Sequence, residues 1–454
     1  MLHKFSMNGI NVLMDIYSGA VHAVDDVAYD IADLYPEAGL DELCDKFSGK
    51  YTREQIKEAC DELEELKEAG MLYTEDEYEK VLEQVKNRAP VVKALCLHVA
   101  HDCNLKCRYC FAEEGEYHGK RSLMSAEVGK KAIDFIIANS GNRRNLEVDF
   151  FGGEPLMNFD VVKEIVEYGR EQEKLHNKHF RFTITTNGML LTDDKIDYIN
   201  KEMYNVVLSL DGRKEVNDRM RFCVNGSGSY DIILPKFQKL VQKRGDGQYY
   251  VRGTFTKYNK DFTNDVLHFF EKGFEQISIE PVVTDPKLPY ALTEEDLPEV
   301  FAEYEKLAKV IIEKRKNGEF FNFFHFMIDL DQGPCAIKRL RGCGCGNEYV
   351  SVTPEGDVYP CHQFVGKKEW IMGSVNDLSL NTEIKDSFAK TTVYTKPECR
   401  TCWAKFYCSG GCDANNLEYA GAIKKPYKLA CDLEKKRLEC AIMIKAALAD
   451  LEIE

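Results

Sequence analysis

The alternation of strand and helix patterns between residues 93 and 320 constrains the fold more than any other feature of this sequence. Short apolar runs predict six strands, at 94–99, 146–151, 180–186, 205–210, 249–256 and 276–281. Segments with helical periodicity predict helices near 125–139, 158–174, 192–201, 230–243, 262–272 and 293–317. Such β/α repeats predict a parallel sheet with right-handed crossovers, either a partial barrel or a doubly wound sheet. In both cases the chemistry is expected at the carboxyl ends of the strands.

Cysteine is the residue type whose use departs most from that of an ordinary globular protein. The chain of 454 residues has 17 cysteines, and ten of them lie at or beyond Cys335. The N-terminus does not resemble a signal peptide and no apolar run approaches the length of a membrane span. We therefore expect a cytoplasmic, reducing or anaerobic environment, where clustered cysteines indicate metal or redox chemistry. The net charge of −16 argues against a nucleic-acid partner.

The segment "CNLKCRYCF", residues 103–111, follows the first predicted strand. It spaces Cys103, Cys107 and Cys110 as C-x3-C-x2-C. Three thiolates can hold three irons of a [4Fe–4S] cluster and leave the fourth iron free for another ligand. A zinc site with a distant fourth ligand is also compatible with this spacing.

Short motifs at the ends of the following strands point to one family. They are "GGEP" at 152–155, "TTNG" at 185–188, "SLDG" at 209–212 and "VRGTF" at 251–255. Together with the cysteine loop, in which Tyr109 precedes Cys110, they resemble the radical S-adenosylmethionine (SAM) enzymes. The resemblance implies SAM-binding residues at Tyr109, Gly152, Gly153, Glu154, Asn187, Ser209 and Arg252.

The resemblance assigns parts of SAM to these residues. The "GGEP" stretch would bind the amino group, Ser209 and Arg252 the carboxylate, and Asn187 the ribose. The implied chemistry is reductive cleavage of SAM to methionine and a 5′-deoxyadenosyl radical, which takes a hydrogen atom from the substrate. The catalytic set is then Cys103, Cys107 and Cys110, with the protein supplying orientation and exclusion of water.

A second cysteine pattern lies in the last third of the chain. Residues 399–412 read C-x2-C-x5-C-x3-C, Cys343 to Cys361 read C-x12-G-x4-C, and Cys431 follows. This arrangement resembles the SPASM extension of radical SAM enzymes, which holds two auxiliary [4Fe–4S] clusters. The outer cluster would use Cys399, Cys402, Cys408 and Cys431, and the inner one Cys343, Cys361 and Cys412.

The tail leaves two questions open. A fourth inner ligand could be Cys335, Cys345 or neither, and an open iron would be available to a substrate thiolate. Structural zinc is the alternative to iron–sulfur clusters. We expect the region to be held together by metal rather than by a large core, with one last helix at 428–450.

Residues 1–90 form a separate module in the sequence. "NVLMDIYSGAVHAVDD" predicts a hairpin, and helices are expected near 27–35, 40–48 and 52–70. The module resembles a winged-helix RiPP recognition element, RiPP being a ribosomally made, post-translationally modified peptide. Such modules bind a leader peptide as an added edge strand. A DNA-binding winged helix is the alternative, which the acidic composition disfavours.

The three parts together resemble the maturases of SCIFF peptides, of the sactipeptide or ranthipeptide synthase type, which form thioether crosslinks. The implied organisation is a leader-binding module (1–90), a partial (β/α)6 TIM-type barrel (91–300), a bridging helical segment (301–334) and a SPASM domain (335–454). Implied cofactors are SAM and three [4Fe–4S] clusters. Implied partners are a cysteine-rich precursor and an electron donor such as a flavodoxin or ferredoxin, without nucleic acid or membrane. Sulfatase-type maturation and an iron–sulfur scaffold without turnover are the alternatives.

Overall fold

A computed structural model describes residues 1–86, 91–330 and 336–449 of the chain. In the described part of the N-terminal module, the chain forms a three-stranded antiparallel sheet and four helices. The elements are β1 (Leu2–Met7), β2 (Ile10–Asp15), β3 (Val21–Val24), α1 (Asp26–Ile31), α2 (Leu40–Lys46), α3 (Arg53–Glu68) and α4 (Tyr78–Lys86). The β2–β3 hairpin is as predicted, whereas β1, which pairs with β2 along its whole length, was not predicted. Thr52 and Gln55 form a capping box at the start of α3.

The middle of the chain contains the predicted β/α repeats. In chain order the elements are β4 (Ala94–His101), β5 (Leu105–Cys107), β6 (Ser122–Leu123), α5 (Ala126–Asn139), β7 (Asn145–Gly152), α6 (Phe159–His176), β8 (His179–Thr186), α7 (Asp193–Glu202), β9 (Asn205–Ser209), α8 (Lys214–Met220), β10 (Arg221–Cys223), α9 (Tyr230–Arg244), β11 (Gln248–Phe255), α10 (Thr263–Glu271), β12 (Gln276–Pro281), α11 (Leu297–Lys316) and β13 (Asn322–Phe323).

The six long strands pair in parallel in the order β12-β11-β9-β8-β7-β4, and β13 adds to the β12 edge. Helices such as α5 and α6 cover the outer face, where the alternate strand residues are buried. The mixed α/β class with a central parallel sheet, consistent with a partial (β/α)6 barrel, is therefore confirmed. The carboxyl ends of these strands meet at one rim.

The tail continues the same sheet, contrary to the expectation that metal rather than a core would hold it. Its elements are α12 (Ala336–Arg341), β14 (Tyr349–Val352), β15 (Asp357–Tyr359), β16 (Gly373–Ser374), β17 (Ser379–Leu380), α13 (Thr382–Ala389), α14 (Pro397–Arg400), α15 (Lys405–Cys408), α16 (Asp413–Ala420) and α17 (Lys428–Leu448). Strand β14 lies parallel to β4 and is buried, so the tail shares the hydrophobic core of the barrel.

Several loops contain single-turn 3-10 helices. They lie at Glu113–Gly115, Pro155–Asn158, Lys257–Asn259, Glu294–Asp296, Phe324–Phe326, His362–Phe364 and Lys368–Trp370. None of the helices in the described ranges is both long and apolar enough to cross a membrane.

The first module packs against the tail through apolar and charged contacts. Helix α17 contacts β1, β2 and β3, and Cys440 in this helix lies 3.9 Å from the sulfur of Met7. Lys405 is fully buried, and its ammonium group lies 3.1 Å from the Asp76 carboxylate and faces the rings of Tyr17 and Tyr394. Residues of the first module therefore reach the loop that carries the outer cysteines.

Candidate functional site

The three cysteines of the loop after β4 are brought together by a short antiparallel strand pair. Strand β5 pairs with β10, so that Cys107 lies opposite Arg221. The Cys110 amide donates a hydrogen bond to the Cys107 carbonyl oxygen over 3.1 Å. The loop therefore folds back on itself at the rim where the strands end.

Most of the predicted SAM-site residues line one cavity of about 160 Å³ at this rim. Cavity-lining residues that the sequence had indicated are Cys103, Cys107, Tyr109, Cys110, Gly152, Gly153, Asn187 and Ser209. They come from the ends of three strands, β7, β8 and β9, and from the cysteine loop. The cavity also includes Arg221, which the sequence had not indicated.

Paired glycines at the end of β7 allow this strand to approach the cysteine loop closely. A Cβ atom on Gly153 would lie 2.1 Å from the carbonyl oxygen of Asp102, and one on Gly152 would lie 2.3 Å from that of Ala100. Gly152 also has a positive φ of 125°. Any side chain here would separate the two segments that form the wall of the cavity.

Glu154 does not line this cavity, although it was predicted to be a SAM-binding residue. Its carboxylate is fully buried and accepts hydrogen bonds from the Leu156 amide (3.0 Å), the Thr186 hydroxyl (2.8 Å) and the Asn187 amide (2.8 Å). The carboxylate thus joins the end of β7 to the end of β8. Asn187 is fixed further, because its side-chain amide donates to Asn104 over 2.8 Å.

Arg252 likewise is not among the residues that line this cavity, whereas the Arg221 guanidinium is. Arg252 pairs with Glu280 in the barrel interior over 2.8 Å. Arg221 donates to the Tyr109 hydroxyl over 2.7 Å, and this hydroxyl lies 2.6 Å from the carboxylate of Asp211. The Nε of Arg221 is buried and has no hydrogen-bond partner within the described residues. Local sequence patterns could not reveal Arg221, because it is placed by the non-local β5–β10 pairing.

Burial controls the ionisation of the groups at this site. Burial raises the pKa of the Cys103 thiol to about 12, and it raises that of Cys107 to about 11 although Arg221 opposes the shift. Burial also raises the pKa of Asp211 to about 6, again opposed by Arg221. Burial thus favours the neutral form of the Cys103 and Cys107 thiols, and a bound cation would stabilise them as thiolates.

In the tail, four cysteines group around the predicted inner site. Cys343 and Cys412 both lie near Cys361, and so does Cys345, whose thiol donates to the Pro360 carbonyl oxygen over 3.5 Å. Burial raises the pKa of Cys345 far above its usual value. Cys335, the other predicted candidate for a fourth ligand, lies outside the described residues.

The four predicted outer cysteines line a separate cavity of about 400 Å³. They are Cys399, Cys402, Cys408 and Cys431. Burial raises the pKa of the Cys399 and Cys408 thiols to about 11 and about 12. Across the described ranges, no three His, Cys, Asp or Glu side chains converge on a site for a single metal ion. The cysteines surround cavities instead.

A third cavity, of about 310 Å³, joins the tail to the interior of the barrel. Cys408, Cys412 and Cys431 lie on its tail side, and Glu280 and His325 lie on its barrel side. Burial tends to raise the pKa of Glu280, but the nearby Arg252 guanidinium outweighs this and the pKa is about 2. Charged side chains of the barrel therefore line a cavity that tail cysteines also line.

Two family models match the chain in the regions that contain these sites. Residues 97–266 match the model of the radical SAM superfamily. Residues 343–403 match the SPASM model, described as an iron–sulfur cluster-binding domain. The first range contains the cysteine loop and its cavity, and the second contains five of the ten tail cysteines.

Two curated proteins are similar over most of the chain. A radical SAM cyclopropyl synthase, TigE, from Paramaledivibacter caminithermalis is 24% identical over 76% of this chain and 72% of its own. A cysteine-type anaerobic sulfatase-maturating enzyme from Clostridium novyi is 26% identical over 69% of this chain and 86% of its own.

Two solved structures have a similar fold. The structure of anSMEcpe with bound AdoMet and the Cp18Cys peptide has a TM-score of 0.63 and 23% identity, over 80% of this chain and all of the other. Streptococcus suis SuiB bound to its precursor peptide SuiA has a TM-score of 0.56 and 16% identity, over 92% of this chain and 96% of the other.

Proposed function

Because the chain belongs to the radical SAM superfamily and carries a SPASM domain, we propose that it joins a cysteine sulfur to a carbon of another residue within one peptide. The substrate is a cysteine-rich, ribosomally made precursor. The bond formed is a thioether, so the enzyme is a peptide maturase of this family. The reaction takes place in the barrel interior, between the cysteine loop and the inner cysteines of the tail.

The residues present suit the cofactors that this function needs. Three thiols of the loop face a cavity whose wall tolerates no side chain at Gly152 or Gly153, which leaves backbone free to contact a ligand. When bound to a reduced cluster, SAM supplies a hydrogen acceptor strong enough for an unactivated C–H bond. The tail cysteines would hold two auxiliary [4Fe–4S] clusters. Three inner ligands would leave one position for a substrate thiolate, and four would close it.

The chain's own residues orient SAM and exclude water. The buried Glu154 carboxylate fixes the Asn187 backbone beside the cavity, and Ser209 supplies a hydroxyl at the end of β9. We assign the SAM carboxylate to Arg221 in addition to Ser209, because its Nε is buried and unpartnered. The Arg252 guanidinium, paired with Glu280, faces the peptide instead.

We propose that a leader peptide docks on the first module, and this part of the proposal favours a peptide substrate over a small molecule. The module has the three-stranded sheet and helices that a recognition element uses, and β3 is an edge strand in the described sheet. SuiB, whose structure includes a precursor peptide, has a similar fold over 92% of this chain. An electron donor such as a flavodoxin or ferredoxin, and a cytoplasmic, reducing location, belong to the same proposal.

The observation that carries the proposal is the presence of two cysteine sets, one lining the cavity at the strand ends and the other lining a cavity that reaches Glu280 of the barrel. The test is to incubate the reduced, cluster-loaded enzyme with SAM and a cysteine-rich precursor under anaerobic conditions. Mass spectrometry should show loss of two hydrogens per crosslink, and thiol alkylation should show one free cysteine fewer. A product that has lost hydrogen but retains every alkylatable thiol would contradict thioether formation.

Sulfatase-type maturation is a second candidate, favoured by the similarity to the sulfatase-maturating enzyme of Clostridium novyi. It needs no leader peptide. A precursor lacking its leader discriminates the two, because thioether formation by the proposed route should fall sharply whereas sulfatase-type oxidation of a short cysteine peptide should proceed. An iron–sulfur scaffold without turnover would form no 5′-deoxyadenosine in either assay.

A further inference from the structure

One carboxylate in the barrel interior is left without a full set of partners. Asp149 lies on β7, three residues before Gly152, and its Oδ1 atom is buried without a hydrogen-bond partner in the described structure. The strand register places Asp149 level with Cys96 on β4 and Thr183 on β8. A buried acceptor without a donor is costly, so such a group calls for an explanation.

Thioether formation requires a proton acceptor inside the barrel. Making one C–S bond from a thiol and a C–H group removes a hydrogen atom, a proton and an electron. In the proposed reaction the hydrogen atom ends in 5′-deoxyadenosine, and an iron–sulfur centre of the tail takes the electron. The thiol proton remains, and a side chain or water of the site has to accept it.

The other acidic groups near the interior are already committed to partners. Glu154 accepts three hydrogen bonds, and Glu280 is tied to Arg252 over 2.8 Å. Asp211 accepts from Tyr109 and from the Thr254 amide. Asp149 alone among these four carboxylates has a buried oxygen without a hydrogen-bond partner.

We propose that Asp149 is the general base that accepts the proton of the substrate cysteine thiol. This inference rests on the proposed thioether function. The thiol S–H bond breaks, the proton passes to a carboxylate oxygen of Asp149, and the sulfur then forms its bond to the acceptor carbon. Asp149 returns the proton to solvent between turnovers.

The surroundings of Asp149 suit this role. The groups that interact with it electrostatically are the Cys96 thiol from β4, the Arg252 guanidinium from β11, the Tyr349 hydroxyl from β14 and the Tyr117 hydroxyl from the loop, and the Thr185 hydroxyl from β8 is a further polar neighbour. Burial raises the pKa of Asp149 to about 7, while Arg252 and Thr185 act to lower it. A base whose pKa is close to the working pH is largely ionised and still binds a proton strongly enough to take it from the substrate.

The test compares Asp149→Asn with the matched control Thr183→Ala in the cluster-loaded enzyme. Thr183 pairs with Asp149 across the neighbouring strands β7 and β8. Replacing it by alanine removes a hydroxyl group that does not titrate. For the wild type, the crosslinking rate at low substrate should rise as pH increases through about 7, because the base acts in its ionised form. Asp149→Asn should lower crosslinking at least 100-fold and lose this dependence, while still forming 5′-deoxyadenosine. Thr183→Ala should keep the wild-type pH profile.

An independent readout does not depend on turnover. The infrared difference spectrum between the wild type and Asp149→Asn should contain a protonated carboxylic acid that disappears across pH 7, because the signal of Asp211, whose pKa burial raises to about 6, is present in both proteins and cancels. Crosslinking by Asp149→Asn at the wild-type rate with an unchanged pH profile would overturn the inference. So would a difference spectrum between the two proteins without a carboxyl group titrating near pH 7. A wild type that crosslinks no cysteine-rich peptide would instead contradict the proposed function, which separates the two failures.

Discussion

Replacing Glu154 tests whether one buried carboxylate holds the rim of the barrel together. The carboxylate accepts three hydrogen bonds, two at Oε1 and one at Oε2. In Glu154→Ala, all three donors lose their acceptor. Because a buried donor without an acceptor costs about 1–3 kcal/mol, and water can enter the space left, we expect a loss of about 3–5 kcal/mol in the free energy of unfolding.

Glu154→Gln should destabilise the protein less than Glu154→Ala, because it removes fewer of the hydrogen bonds. The amide oxygen can keep the Leu156 and Thr186 donors, but its NH2 group then faces the Asn187 amide. One hydrogen bond is lost, so we expect a cost of about 1–3 kcal/mol. The Asn187 backbone beside the cavity should shift in both variants, and SAM affinity should fall with stability.

Urea denaturation of the metal-free chain and equilibrium binding of SAM to the cluster-loaded enzyme measure the two effects. Glu171→Ala, an exposed position on α6, is the control and should change stability by less than about 0.5 kcal/mol. The reasoning is refuted if Glu154→Ala is no less stable than this control. It is also refuted if the alanine and glutamine variants are equally stable.

Three further predictions concern charge and metal. Arg221→Met should weaken SAM binding about tenfold or more, which is about 1.4 kcal/mol, whereas Arg252→Met should change SAM binding little. Equal losses of affinity in the two variants would contradict our assignment of the SAM carboxylate to Arg221. Asp76→Asn should destabilise the chain by about 3 kcal/mol, because the buried ammonium group of Lys405 then loses its charged partner. Glu79→Gln removes one partner of an exposed pair with Arg400 and should cost under about 1 kcal/mol in the same denaturation assay. Cys345→Ala should lower the iron and sulfide content of the purified protein if Cys345 is an inner ligand, and Cys60→Ala should not; equal contents would remove Cys345 from the site.

Periodicity and motif spacing predicted those parts of the molecule that depend on local sequence. The six barrel strands end within two residues of their predicted positions because each is a short apolar run bounded by helical segments. The cysteine loop and the glycine pair fall at one rim because the ends of parallel strands meet there. These are consequences of topology that a single sequence already contains.

The remaining features depend on contacts between distant segments. Strand β10 is only three residues long, and it places Arg221 in the cavity because it pairs with β5 more than a hundred residues earlier. Strand β14 joins the barrel sheet beside β4 although it has only four residues. Arg252 has a suitable position in the sequence for a SAM ligand, but Glu280 on the neighbouring strand pairs with it. Which of two possible partners such a side chain binds depends on the three-dimensional fold and not on the local sequence.

The most direct test of the central claim follows one hydrogen atom from peptide to cofactor. A cysteine-rich precursor deuterated at the acceptor residues is incubated with the reduced, cluster-loaded enzyme and SAM. Our account predicts that deuterium appears in 5′-deoxyadenosine in step with the loss of one free thiol per crosslink. Thioether formation without deuterium transfer, or deuterium transfer with every thiol retained, would contradict it.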